Sequence, residues 1–388
     1  MAKKRPVKKK RARRVKVTPE FIKKAMIKKA KEKEWKPLWK GPEEDGVTQS
    51  LLSRFLVCRE RFRLTVVEGL READHYRHAL EYGQMWHACE EEYARTKGAD
   101  DNWQRALLDY AKQLCVKYRL EQDRIQKDYN VCRTQFPIYL DYRKKQKCTQ
   151  LLAEQTFEVP YKLPSGRTVK LRGKWDGVNL VGAGKKAGIY LLEHKTKGQI
   201  VEEKIAGQLQ FDLQTMTYLV ALEEVQKNPT GDTLVGLSCN PLKGVIYNVV
   251  RRPLAGGKHS IRPHAAKSLK TKPDVPAETM DHYYARLGGL IAEEPEYYFM
   301  RWTVTVTQAE IERFKREFLD PILEQLCEWW DWIVSKPEDI FAESVHYRTP
   351  YGVYNILAEG GTSPLDEYLA TGSMTELERA TTLFEELE

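Results

Sequence analysis

The apolar period of this chain changes near residue 150, and that change narrows the folds open to it more than any other feature. Upstream the spacing is helical. "TQSLLSRFLVCRERFRL" (Thr48–Leu64) puts Leu51, Leu52, Phe55, Leu56, Arg59 and Phe62 near one face, a second helix is predicted over His78–Thr96, and residues 101–148 read as largely helical, with Trp103, Leu107, Tyr110 and Leu114 in register. Downstream, "LLAEQTFEVPYKL" alternates with period two, Pro164–Gly166 is a turn, "RTVKLRGKWDGVNLV" is a second strand and "GAGKK" a second turn. "AGIYLLEHKT" is a short apolar run ending in charge, the pattern of a central strand. A helix is predicted over Glu202–Val225, with Ile205, Leu209, Leu213, Met216 and Val220 as its stripe, and strands in "TLVGLSCN" (Thr233–Asn240) and "GVIYNVVRR" (Gly244–Arg252). From Thr303 a strand leads into a long helix, entered by a capping box at Thr307–Glu310 and striped by Ile311, Phe314, Phe318, Ile322, Leu326 and Trp329. This order of elements makes an α/β layer with a mixed sheet. The polar residues 254–285 are expected to form a long mobile excursion.

Charge divides the chain differently. Residues 1–40 carry 18 Lys/Arg against 3 Asp/Glu, and the remainder carries 46 against 52. The like-charge block Lys3–Val17 is expected to be disordered alone; it suits a phosphate-binding arm and equally a solvated tail or a localisation signal. No apolar run is long enough to span a membrane, and the N-terminus has no apolar signal-peptide core. The seven cysteines are scattered with no CxxC pair, which fits a reducing cytosol and argues against a zinc ribbon. A cytoplasmic location follows as the expectation.

The charges at the strand ends carry the chemistry. Alternation puts Asp176 on one face with Lys174 and Arg172, and Trp175 on the other; Glu193 and Lys195 share a face, with His194 opposite. Two carboxylates and a lysine therefore converge at one edge of the sheet. Hard oxygen ligands suit Mg²⁺ or Mn²⁺, and a cation there would orient and deprotonate a water and neutralise charge building on a phosphate. Lys195 would steady the attacking hydroxide or help deprotonate its water. A hairpin with charged tips has the same local pattern; the glycines flanking the Asp segment, and the charge that follows directly on a buried run, weigh for a site.

Asp176 followed by Glu193-His194-Lys195 resembles the PD-(D/E)xK nuclease superfamily, with Glu193-x-Lys195 as its (D/E)xK element. Gly83 and His87 in "YGQMWHACEEEY", Gln214 and Tyr218 in "QTMTY", and Ser50 and Cys58 in "SLLSRFLVCRERF" are similar to elements of its RecB-like, phage-type exonuclease branch, in the same order. The resemblance covers roughly residues 48–360.

The resemblance implies a restriction-endonuclease-like mixed central sheet flanked by helices, with additional N- and C-terminal helices. Its expected parts are a basic tail (1–40), a helical part carrying the His helix (41–150), a core sheet (151–306) and a C-terminal long helix and tail (307–388), with 48–360 as one nuclease domain. The implied activity is low-specificity hydrolysis of DNA phosphodiesters, exonucleolytic and in recombination or processing, with a nicking or structure-specific endonuclease or a non-catalytic DNA-binding module as alternatives. It implies Mg²⁺ or Mn²⁺ held by His87, Asp176, Glu193 and the His194 backbone carbonyl, with Asp176, Glu193 and Lys195 catalytic. Gln214, Tyr218, Lys197, Lys174 and Arg172 would contact substrate, and Glu90, Glu91 and Glu154 would stand around the metal ligands. A recombinase or single-strand-binding partner, and a phage-infected host cell, belong to the same expectation. Many relatives hold an iron–sulfur cluster through a Cys at the Cys58 position and three more near the C-terminus. Phe341–Gly361 contains no Cys, so no cluster is expected; packing through Tyr347, Tyr351, Tyr354, Trp329 and Trp330 would hold the C-terminal region instead.

Overall fold

The computed structural model describes residues 37–72, 74–96, 101–144, 148–200, 212–227, 237, 239–253, 262–266, 276–335, 377–380 and 382–384. The described residues divide into two units, one formed by those within 37–40, 53–72 and 328–384, the other by those within 41–52 and 74–327. In chain order the elements are α1 (Gln49–Val57), β1 (Leu70–Glu72), α2 (His78–Arg95), α3 (Asn102–Lys117), α4 (Gln122–Arg143), β2 (Thr149–Lys162), β3 (Thr168–Val181), β4 (Gly188–Lys197), α5 (Leu213–Lys227), β5 (Leu242–Arg251), α6 (Met280–Glu293), β6 (Phe299–Thr305), α7 (Gln308–Phe314), α8 (Asp320–Ser335) and β7 (Leu377–Arg379).

In the larger unit, β2-β3-β4-β5-β6 form one mixed sheet in that order. Only β4 and β5 run parallel. A parallel pair needs a crossover, and α5 lies in the chain between them. One face of the sheet receives α5, through Trp175, whose Nε1 donates to the Tyr218 carbonyl (3.4 Å). The other receives α2, which packs with α3, α4 and α6 around a core of Trp86, Trp103, Leu107, Cys132, Phe136, Leu287 and Phe299. Trp103, Leu107 and Leu114 are buried as their spacing predicts, and Tyr110 turns its hydroxyl to Glu81 (3.0 Å).

In the smaller unit, Trp39, Phe55, Phe62, Trp329 and Trp330 meet edge to face at 5.1–5.6 Å. β1 pairs antiparallel with β7. Cys58 is buried there, and its Sγ accepts the Arg61 N–H at 3.4 Å. Trp39, counted in sequence with the basic tail, is fully buried.

Four sequence expectations shift. The helical stretch 101–148 is broken at residues 118–121 into α3 and α4. Of Thr233–Asn240, read as a strand, Leu237 is helical and residues 239–240 turn; β5 pairs directly with β4, so no ladder position is left for an added strand between them. The polar excursion ends earlier than composition suggests, because Thr279 caps α6 by accepting the His282 N–H. The capping box at Thr307 forms, but a π-helical turn at Lys315–Leu319 separates α7 from α8. Ile205, Leu209, the Lys3–Val17 block, Tyr347, Tyr351, Tyr354 and Phe341–Gly361 lie outside the described residues. Among the described residues no helix is long and apolar enough to cross a membrane.

Candidate active site

Strands β3 and β4 pair from Val181↔Gly188 to Gly177↔Leu192 and part there. The next residues, Asp176 and Glu193, stand across that opening. On the other side of β3, the pairs Ala153↔Gly177 and Gln155↔Trp175 bracket Glu154, which therefore lies opposite Asp176. Three acids thus form a row across three strands. Strand parting frees a backbone donor: the His194 N–H, with no β3 carbonyl to meet, donates to Asp176 Oδ2 at 2.7 Å. Glu154 has φ +46°, a left-handed backbone that L-residues rarely adopt, of the kind that collects at functional sites.

Two helices complete the cluster. α2 approaches β4 at Gly83, where a Cβ would lie 3.1 Å from Thr196 Oγ1. One turn later His87 Nδ1 sits 3.6 Å from Glu154 Oε1 and 3.9 Å from Asp176 Oδ1. The ligand atoms of His87, Glu154 and Asp176 all lie within 4.8 Å of one another. From the opposite face, α5 presents Gln214. Its Nε2 donates to Glu193 Oε1 (2.9 Å), and its Oε1 accepts from Lys195 Nζ (2.9 Å), which also donates to Glu193 Oε1 (2.7 Å). Tyr218, four residues on, is buried against Phe157; a Cβ at Gly173 would come within 2.8 Å of its ring.

Burial and crowding set the charges. Burial, then Asp176, pushes Glu193 up to about 7 against the opposing Lys195. Burial and Glu154 raise Asp176, although His87 and the His194 N–H oppose. Burial would lower His87, but Asp176 and Glu154 raise it to about 9. Glu154 is held below its ordinary value by His87 and Lys174 despite burial. Burial would also lower Lys195; Glu193 and Asp212 keep it an ammonium, above its ordinary value. Glu154 Oε1 and Glu193 Oε2 are both buried and accept no hydrogen bond.

The remaining sequence candidates scatter around this centre. Lys174 Nζ lies between Glu91 Oε2 (3.0 Å) and Glu154 Oε2 (3.1 Å). Glu90 is buried, paired with Arg143 at 2.6 Å and 3.5 Å from the ring of His194, whose basicity burial drives down to about 4. Arg172 reaches Glu158 (3.3 Å) and the Asp45 carbonyl (3.0 Å), roughly 13 Å along the strand from Asp176. Lys197 ends β4, exposed. Two groups exceed the sequence expectations. Glu154 stands inside the cluster, brought there by a bulge that local alternation does not announce. Asp212 caps α5 through the Gln214 N–H (3.1 Å) and lies 4.0 Å from Lys195; an Asp just before a helical run is the signal that could have found it.

An acid row at the mouth of two parting strands, with a lysine two residues beyond the second acid, is accompanied by a sequence match: the family model for the PD-(D/E)XK nuclease superfamily matches residues 47–332. The chain belongs to that superfamily. Its five-stranded mixed sheet flanked by helices is the restriction-endonuclease-like architecture expected of a member, and membership makes it a nuclease-type phosphodiesterase of a group that typically uses divalent metals. No curated protein matches the sequence at significance.

Proposed function

We propose that this chain is a metal-dependent deoxyribonuclease of low sequence specificity that works exonucleolytically in DNA recombination or processing. The observation that carries the reading is the register-matched row Glu154–Asp176–Glu193, closed by His87 on one face and by Lys195 and Gln214 on the other.

The donor set fits a hard divalent cation. It offers carboxylate oxygens and one imidazole nitrogen within a sphere of first-shell size, Glu154 Oε1 and the neighbouring Glu193 Oε2 are buried with no donor, and burial together with the nearby carboxylates raises Asp176 and Glu193 above their ordinary values. His87, Asp176 and Glu154 would hold Mg²⁺ or Mn²⁺, with Glu193 beside them. The His194 carbonyl leaves the extended strand on the same side as its N–H and so faces the same gap. Such a cation supplies Lewis-acid charge for a phosphodiester oxygen and for the attacking water.

The protein's own groups do the rest. Lys195, fixed as an ammonium, steadies negative charge on the nucleophile and the phosphate; of the two roles open to it from sequence, this is the one its surroundings favour. Gln214 holds Lys195 and Glu193 at fixed separation, and Tyr218 anchors the helix that carries it. Contacts of this kind read phosphate and not bases, so sequence preference should be weak. The exonucleolytic assignment rests on the paired Gly83-x-x-x-His87 and Gln214-x-x-x-Tyr218 elements and their likeness to the RecB-type branch.

The test is digestion of end-labelled linear DNA and covalently closed circles with Mg²⁺, Mn²⁺ or chelator. Mononucleotide or short-oligonucleotide release from ends, absent with chelator and in a folded Asp176→Ala variant, is expected. Nicking of closed circles would replace the exonuclease by an endonuclease, and binding without cleavage in either metal would overturn the catalytic reading.

A further inference from the structure

Strands β4 and β5 end side by side, joined where the Arg252 N–H donates to the Lys197 carbonyl at 2.8 Å. The cations at this rim are not alike. Arg251 is fully engaged: its Nε donates to the Tyr297 carbonyl (3.0 Å) and its guanidinium lies 3.9 Å over the Tyr297 ring. Arg252 is the opposite. Its Nε and Nη1 are buried and have no hydrogen-bond partner. The acid in electrostatic reach, Asp128, makes no hydrogen bond to it and is engaged at Oδ2 by the Tyr76 hydroxyl and by His78 Nδ1 (2.6 Å). Tyr82, also in reach, spends its hydroxyl on Gln135 Oε1 (2.7 Å). Arg252 is half-buried, and two buried guanidinium donors left without acceptors are costly and call for an explanation such as a ligand that is not part of the chain.

The position says which ligand. Arg252 lies on the α2 side of the sheet, beside Tyr82, and Tyr82 precedes His87 by five residues, about 7.5 Å along the helix axis. Lys197, two residues beyond Lys195 on β4, shares the α5 face with Lys195 and so stands on the opposite face from Arg252. A planar fork of N–H donors matches the oxygens of a phosphate. We propose that Arg252 takes a phosphate of the nucleic-acid substrate on the α2 side of the sheet, so that it positions substrate along the axis from His87. This rests on the nuclease reading only for the identity of the strand's other contacts.

The test uses the full-length chain and a fluorescein-labelled oligonucleotide in Ca²⁺, with anisotropy read from 50 to 200 mM salt, beside melting temperatures and steady-state cleavage in Mg²⁺. Arg252→Met should weaken binding about tenfold and flatten the log–log salt slope by about one contact, ~0.7 for a single strand and ~0.9 for a duplex. It should raise KM with kcat nearly unchanged and leave the melting temperature equal or higher, because two unpartnered buried donors have been removed. Arg252→Lys should recover part of the affinity and most of the slope. An unchanged slope and KM, or a melting temperature lowered in step with them, would overturn the proposal by showing a structural arginine. If the wild type binds DNA but never cuts it, the catalytic reading falls, while the slope still decides the role of Arg252.

Discussion

The larger unit contains the same trio of residues twice, buried against the same helix. Near the N-terminal end of α5, Glu193 meets Lys195 and Gln214; toward its C-terminal end, Glu223 meets Lys315 and Gln308. The arrangements differ in how the glutamate oxygens are used, and Glu223 has a second ammonium, Lys227, 3.2 Å from Oε2. Gln308 donates to Glu223 Oε1 and Lys315 to Oε2, so both lone-pair sets are used, and Lys315 and Gln308 hold Glu223 below its ordinary range despite burial. At the sheet edge, Gln214 and Lys195 both donate to Glu193 Oε1, Oε2 is buried and empty, and Asp176 adds to burial in pushing the group up to about 7. One trio is complete and tightens packing. The other is left one donor short beside two more carboxylates, which is the arrangement of a site that waits for a positive ligand. Type and burial of the residues are shared; the unspent acceptor is what separates chemistry from structure.

The comparison breaks most sharply under lysine removal. Lys195→Met should lower kcat about 10³-fold, as loss of a preorganised charge does, with the melting temperature little changed. Lys315→Met should cost about 1–3 kcal/mol of stability by removing a donor from Glu223, with Lys227 left at 3.2 Å to hold part of its charge, and with unchanged kcat per folded molecule. Denaturation curves and single-turnover rates on the two variants decide it, and equal stability losses would erase the distinction.

The glutamines sharpen it. Gln214→Leu should reduce activity about 10–100-fold, the usual effect of releasing a group that orients a ligand, whereas Gln308→Leu should cost about 1–3 kcal/mol of stability and leave rates alone. Stability against pH separates the acids next. Glu193, raised from 4.5 to about 7, binds a proton on folding, so its contribution falls as pH climbs through that window. Glu223, held below 4.5, stabilises fully above that value and loses its contribution as pH drops through its depressed one. Urea titrations from pH 4 to 8 without divalent cation should show the first slope, and Glu193→Gln should abolish it.

The smallest effect concerns Lys174, whose ammonium already rests on Glu154 and Glu91. Lys174→Met should tighten divalent-cation binding a few-fold, about the 1 kcal/mol of a partly exposed pair, read as a larger Mg²⁺-induced rise in melting temperature. A smaller rise would show that Lys174 helps the ligand set instead of competing with it.

Local order was legible because local rules make it. Period two over β2 to β4, period 3.6 over α2 to α4, the Thr307 capping box, and the spacings that put His87 one turn from Gly83 and Tyr218 one turn from Gln214 are all decided within a few residues of chain. These suffice for an α/β layer and for singling out Asp176, Glu193 and Lys195 as candidates, while His87 and Gln214 became candidates through the resemblance to the nuclease superfamily. Tertiary structure decided the rest, since it depends on which strand lies next to which. The left-handed backbone at Glu154 that aims it at His87, the parting of β3 from β4 that hands the His194 N–H to Asp176, and the lack of a donor at Glu193 Oε2 or an acceptor at Arg252 are relations between distant segments. A sequence states which polar groups a chain owns. Whether each finds a partner is a property of the packed fold, and the proposed site is built around acceptors that do not.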